Sequence, residues 1–160
     1  MVETLVGLKK SLFKHYDILY YNSPDEFRMY LHSRISHAKD SIYIVSGEIS
    51  ESLNHPVIAN ALEKAAQDGV KIEIFTGPSV IDKNHAFFNL KKNNIITHYL
   101  LKNRPIRHFV MVDSSDICIE NAHRPKTAEK RMGYFFYSPK VGLNIEKKMD
   151  ILRNPDNLVT

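Results

Sequence analysis

The sequence predicts a single α/β domain with a mixed central β-sheet flanked by helices. Three observations predict it. Strand-like and helix-like stretches alternate from Ile42 to Leu101, the succession that builds parallel strand-helix-strand crossovers. Beyond Leu101 come three short strand-like runs, the first two joined by a stretch of turn composition, which is the pattern of antiparallel or mixed additions to a sheet. The length of 160 residues, with 43% hydrophobic and 25% charged residues, suits one domain with one core.

Residues 1–22 are expected to precede the domain or pack on it, residues 23–154 to form it, and residues 155–160 to be a loose tail. Ser23-Pro-Asp-Glu26 is a helix start: serine can cap, proline suits the first helical position and Glu26 can close a capping box. That helix should run to about Lys39 with Phe27, Leu31, Ile35 and Ala38 on one face. Ile42–Ser46 is rich in branched and aromatic residues and reads as a strand buried on both sides. After a turn at Asn54-His-Pro56, apolar residues from Val57 to Ala66 recur at helical spacing, and Asp68-Gly69 supplies the stop. Val70–Phe75 is the next strand, Asp82 to about Lys92 a helix ended by Asn93-Asn94, and Ile95–Leu101 a third strand. His108–Val112, Ile117–Glu120 and Tyr134–Tyr137 are the short strands, and Ser138-Pro139 opens a last helix with Ile145, Met149 and Leu152 as its apolar stripe.

The net charge of +4 comes from 22 Lys and Arg against 18 acids, short of the basic bias of a dedicated nucleic-acid binder. Its distribution says more. Cations cluster at Lys91-Lys92, from Lys102 to Arg107, and from Arg124 to Arg131, so that two clusters flank His108 and would raise the local concentration of anions. The single Cys118 makes no internal bridge and sits in the alternating run Ile117–Glu120, which reads as a small buried hydrophobe in a reducing compartment. With no apolar stretch of membrane-spanning length and no secretory signature at Met1-Val-Glu-Thr, a cytoplasmic protein without a membrane partner is expected.

The residue types that carry chemistry gather at Arg104, Arg107, His108, Asp113, Glu120, Asn121 and His123. His108 and Asp113 are five apart, and odd spacing on a strand sends side chains to opposite faces. A pairing of His108 with Glu120 across the hairpin is therefore expected, and a carboxylate beside a histidine suits anion binding or a held general acid. The plainer alternative is a half-buried histidine satisfied by a neighbouring carboxylate. His108, Asp113, Glu120 and His123 are also of metal-ligand type, but their spacing follows no recognised ligand pattern, so neither metal nor cofactor is expected. Tyr134-Phe-Phe-Tyr137 offers either stacking platforms for nucleic acid or core packing, with core the expectation for both alternating pairs. Ser46-Gly-Glu48 and Thr76-Gly-Pro-Ser79 lie at strand exits, where open α/β sheets place ligands, with His85 and His98 nearby.

Ala38–Ser46, Ala61–Phe75 and Ile106-Arg-His-Phe-Val-Met-Val-Asp113, in that order, resemble the phospholipase D superfamily over roughly residues 24 to 154. Catalytic members of that family carry a His-x-Lys-x4-Asp motif. Anchoring on Asp113 puts Ile106 at the histidine and His108 at the lysine; anchoring on His108 puts Val110 at the lysine and Ser115 at the aspartate. Neither register restores the motif. The resemblance implies a nucleophilic histidine, a second histidine as general acid, and lysines that hold phosphate charge, with two motifs meeting across a pseudo-twofold interface. A chain with one motif would need a homodimer to assemble such a site. Catalytic members also place small residues and then Asn on the downstream strand, where this chain has Ile119-Glu-Asn-Ala-His123.

Glu120 would bring negative charge to the place of a phosphate oxygen. The sequence therefore points to a degenerate, ligand-binding or regulatory domain for an anionic small molecule or a protein partner, of the kind found in sugar-binding effector domains of archaeal transcriptional regulators. The alternative is a divergent phosphodiesterase or nuclease in which two His108 residues meet across a dimer. The twenty-odd residues before Ser23 are too few for a helix-turn-helix domain, so a complete regulator is not expected, although nucleic acid stays open as a partner.

Overall fold

The structure is a computed structural model and describes residues 18–78, 86–105, 107–120 and 133–159. Its strands are β1 (Leu19–Tyr21), β2 (Ser41–Ser46), β3 (Lys71–Thr76), β4 (Thr97–Leu100), β5 (His108–Val112), β6 (Asp116–Glu120) and β7 (Gly133–Tyr137). Its helices are α1 (Pro24–Ile35), α2 (Pro56–Gln67), α3 (Ala86–Lys92) and α4 (Pro139–Leu152), followed by a 3-10 turn at Pro155–Asn157.

One mixed sheet runs in the order β1-β7-β6-β5-β2-β3-β4. The β2-β3-β4 part is parallel and is built by the expected crossovers through α2 and α3. The β5, β6 and β7 strands form an antiparallel meander that joins the parallel part where β5 pairs with β2. Helices α1, α2 and α3 cover one face, where Phe27, Leu31, Ile58, Leu62 and Phe87 pack on Ile42, Ile44, Ile72, Ile74 and Val110. Helix α4 covers the other, bringing Ile145 and Met149 onto Tyr43, Val45, Phe75, Met111 and Ile117. Period-two alternation makes both sets consistent, and every residue of β2 is buried because both faces are covered.

The helix signals hold locally. Ser23 and Ser138 cap α1 and α4 by accepting from the backbone N–H groups of Glu26 and Val141, with Pro24 and Pro139 at the first helical positions. Glu26 reaches back to the N–H of Asn22 and not that of Ser23, an offset version of the expected box. Helix α1 stops at Ile35, four residues short of Lys39, because Ser36, His37 and Ala38 close the end with turn-type bonds to His32, Arg34 and Ile35. A Cβ on Gly142 of α4 would collide with the Ser114 carbonyl oxygen, so glycine lets the helix seat against the β5–β6 turn.

Within the segment expected to precede the domain or pack on it, Leu19–Tyr21 forms an antiparallel edge strand on β7, with Tyr21 buried against Phe27 and Phe135. The tail is not loose: Leu158 bridges Leu101, the N–H of Val159 donates to the Leu100 carbonyl, and that of Lys102 donates to the Asn157 carbonyl. Unpaired backbone groups on the outer side of β4 supply the reason. No helix among the described residues is long and apolar enough to cross a membrane.

Candidate functional site

The carboxyl ends of β2 and β3 and the start of β5 meet at one place, because β5 runs antiparallel beside β2. Each parallel strand ends in a glycine there. A Cβ on Gly47 would lie 2.6 Å from Arg104 Nε and 2.9 Å from His108 Nε2; one on Gly77 would lie 2.9 Å from the Arg104 Cα and from the Gly47 carbonyl oxygen. Only glycine at both exits lets the chain around Arg104 cross the strand ends with the histidine beneath it. Of the two exits, Ser46 lines the pocket of His108 and Gly47 touches its ring, while Gly77 meets Arg104 and Ser79 lies outside the described residues.

His108 is 6% exposed and Glu120, its partner in the β5–β6 register, is 4% exposed. Directly opposed residues project from the same face, so the expected His108–Glu120 juxtaposition across the hairpin is present. The Gly47 N–H donates to His108 Nε2 at 3.0 Å. A nitrogen that accepts from a backbone N–H carries no proton, so the imidazole in this arrangement is neutral, with its proton on Nδ1. Phe27, Leu53, Cys118 and Glu120 close over the ring, leaving a cavity of about 10 Å³, room for at most one water.

Asp113 lies elsewhere. It follows the last residue of β5, and five residues at about 3.4 Å each separate it from His108 by about 17 Å. Its carboxylate accepts from three successive backbone N–H groups, those of Lys39 (3.0 Å), Asp40 (2.8 Å) and Ser41 (3.1 Å). Asp113 and Ser114 adopt φ of 50° and 58°, the left-handed pair of a type I′ turn that Asp tolerates. Asp113 thus anchors the α1–β2 connection and is not brought to His108.

The basic residues lie at the strand exits and on the α4 side of β5, with Arg104 bordering both. Arg104 reaches the strand exits, its Nη2 3.9 Å from Glu48 Oε1, with both side chains nearly half-exposed. Arg107 is exposed and faces the α4 side with Phe109, away from His108. There, Arg104, Arg107 and Lys148 line a groove of about 530 Å³ between α4 and the β4–β5 connection, over Leu101, Phe109 and Leu152. Sequence reasoning missed Lys148 and the groove, since nothing local ties α4 to Arg107. Asn121 and His123, like His85, Ile106 and the cations from Arg124 to Arg131, lie outside the described residues.

His98 approaches the β3 exit as expected, its Nε2 2.7 Å from Thr76 Oγ1 and its ring edge-on to Phe87. Burial, with the Lys91 charge adding to it, lowers its pKa to about 4. On the α4 face Glu73 is buried, accepting from Arg153 at 3.0 and 2.6 Å and from the Tyr99 hydroxyl at 3.0 Å, with Lys71 Nζ also 3.0 Å away. Burial alone would raise the Glu73 pKa; these donors outweigh it and hold the carboxyl below its ordinary range. Cys118 is buried, its Sγ 3.6 Å from the Tyr21 hydroxyl. Of the aromatic run, core packing holds for Phe135 and in part for Tyr134 and Phe136, half-buried on the α4 side, but not for Tyr137, which is 40% exposed. Among the described residues no three His, Cys, Asp or Glu side chains are grouped to hold a metal.

No family model matches the chain and no curated protein matches it. Its fold does have counterparts among solved structures. NucT from Helicobacter pylori superposes with a TM-score of 0.70 at 18% identity, over 91% of this chain and 99% of that one. Nuc from Salmonella typhimurium, a phospholipase D family member, superposes with a TM-score of 0.60 at 20% identity, over 84% and 91%. TrmBL2, an archaeal chromatin protein with a novel mode of DNA binding, superposes with a TM-score of 0.68 at 11% identity over 96% of this chain, which spans 58% of that protein. The fold is phospholipase D-like.

Proposed function

We propose, with the phospholipase D-like fold as premise, that this chain is a ligand-binding or regulatory module with a degenerate motif, and that it takes an anionic small molecule or an acidic protein partner. The observation that carries this reading is the state of His108. A nucleophile must offer a lone pair to solvent-borne phosphorus, whereas His108 Nε2 accepts from Gly47 within a nearly closed surround and lies opposite the acid Glu120. Arg104, exposed at the strand exits beside this centre, and Arg107, exposed on the α4 side, support anion recognition, and an arginine fork suits carboxylate or phosphate. Asn121 and His123 belong to the proposed ligand site by sequence, while Asp113 serves it by holding β5 in place. The module is cytoplasmic and homodimeric in this reading, supported respectively by its lone buried cysteine and by the family resemblance.

A second reading, a phosphodiesterase or nuclease built from two His108 residues, draws on the nearly full-length superposition with NucT. Hydrolysis of bis-p-nitrophenyl phosphate and of single-stranded DNA, by the protein and by His108→Ala, each with and without chelator, separates the two. No activity above background is expected. Hydrolysis that survives chelation and disappears in the variant would replace the binding module with a metal-independent enzyme. A nucleic-acid partner for the module would appear instead as DNA retention without cleavage.

A further inference from the structure

We propose that the groove between α4 and the β4–β5 connection is a binding site for a small organic anion with an apolar body, such as a medium-chain or aromatic carboxylate. This rests on the anionic-ligand reading above and names the ligand class. The groove lies on the α4 face, to which the Val45 and Phe109 side chains point, while His108 and Ile44 project to the opposite face of the sheet; Arg104, at the strand exits, borders both. Its volume of about 530 Å³ lies within the range of roughly 300–1,000 Å³ typical of small-molecule sites.

Two features fix the chemistry. The floor is apolar, formed by Leu101, Phe109 and Leu152 beside Met149, and the outer turn of α4 adds Ile151, 64% exposed. The cations Arg104, Arg107 and Lys148 also line the groove, and among the described residues no acid does. A wholly polar anion would leave the apolar floor without a partner, and a neutral hydrocarbon would leave the three exposed cations without a counter-charge. An anion on an apolar body satisfies both. Glu48, 3.9 Å from Arg104, offers a weak internal counter-charge that such a head group displaces. The neighbouring Arg153 is already engaged by Glu73 and Asp150.

The test uses the whole chain and the fluorescent anion 1-anilinonaphthalene-8-sulfonate, with decanoate, decanol, decyltrimethylammonium and inorganic phosphate as competitors. Saturable binding is expected, displaced by decanoate at concentrations about tenfold lower than by any of the others. Arg107→Glu with Lys148→Glu, both exposed positions, should weaken probe and decanoate binding about tenfold, with near-ultraviolet circular dichroism unchanged. Phosphate competing as well as decanoate would overturn the amphipathic class and leave the anion module standing. Decyltrimethylammonium competing as well as decanoate, or no effect of the charge reversal, would overturn the site as an anion site. Loss of probe binding with rising sedimentation coefficient as the protein is concentrated would assign the groove to a second copy of the chain, and absence of any probe or phosphate binding would remove both readings.

Discussion

At one end of β5 the Asp113 carboxylate accepts from three consecutive backbone N–H groups; at the other, His108 accepts one N–H from Gly47 beside an exposed arginine. Both are titratable residues of the same short segment. The difference lies in what the neighbouring strand presents. At its start β2 offers a curl of free N–H donors, which saturate an acid and make it part of the scaffold. At its end it offers a glycine, which leaves space and lets side chains from three segments converge. Glu73 repeats the first pattern on the α4 face, saturated by Arg153, Lys71 and Tyr99.

Breaking the scaffold end should have the largest effect. Asp113→Ala removes a charged acceptor from three N–H groups and puts alanine at positive φ, with an expected loss of about 3 kcal/mol. Asp113→Asn, which tolerates that backbone and keeps one acceptor, should lose about half as much. Urea midpoints at unchanged slope measure both; a loss below about 0.5 kcal/mol for the alanine variant would place Asp113 outside the scaffold.

Arg153→Ala comes next, at about 2 kcal/mol by the same measurement. A buried carboxylate then keeps only Lys71 and Tyr99 as partners, and the quarter exposure of Arg153 moderates the cost. The pH dependence follows from the depressed Glu73 pKa. Its contribution is present above the ordinary glutamate value of about 4.3 and is lost as pH falls through the lower folded value. The arginine variant should therefore lose less stability than the parent protein on acidification below about pH 4.

The site end gives smaller effects. His98 stays neutral in the fold down to about pH 4, while the unfolded chain binds its proton near 6.5. The unfolded state thus holds more protons in that window, and stability falls as pH drops from about 6.5 to about 4. His98→Gln should flatten this limb, read as the difference between urea midpoints at about pH 7 and pH 5; an unchanged difference would remove His98 as its source. Gly47→Ala should cost about 1 kcal/mol, since the flexible end of Arg104 can withdraw but the buried His108 Nε2, 2.9 Å from the new Cβ, must also give way. Its signature is functional: the retreating arginine should weaken anion binding at the exits, and unaltered affinity would detach Arg104 from the site.

Legibility in the sequence followed the range of the physics. Ser23, Ser138 and their prolines act on the next few residues, so both helix starts were readable, as were the alternating strands of a sheet covered on two faces. Leu19–Tyr21 was not, because three residues without a pattern become a strand only when β7 offers an open edge. The His108–Glu120 opposition was readable from hairpin spacing. The role of Asp113 was not, because its donors lie more than seventy residues away in sequence. Arg107, which immediately precedes β5, lines the groove with Lys148 on the α4 side, a neighbour that nothing local in the sequence ties to it.

The bridge between Leu158 and Leu101 has a consequence for the life of the protein in a crowded solution. β4 is a terminal strand of the sheet, and an uncovered terminal strand is a template for another chain's backbone. By laying Leu158 and Val159 along the end of β4, this segment covers backbone groups that another chain could otherwise pair with. Removing residues 155–160 should leave most of the core intact and open the end of β4 to another chain's backbone, read as a rise in sedimentation coefficient with concentration.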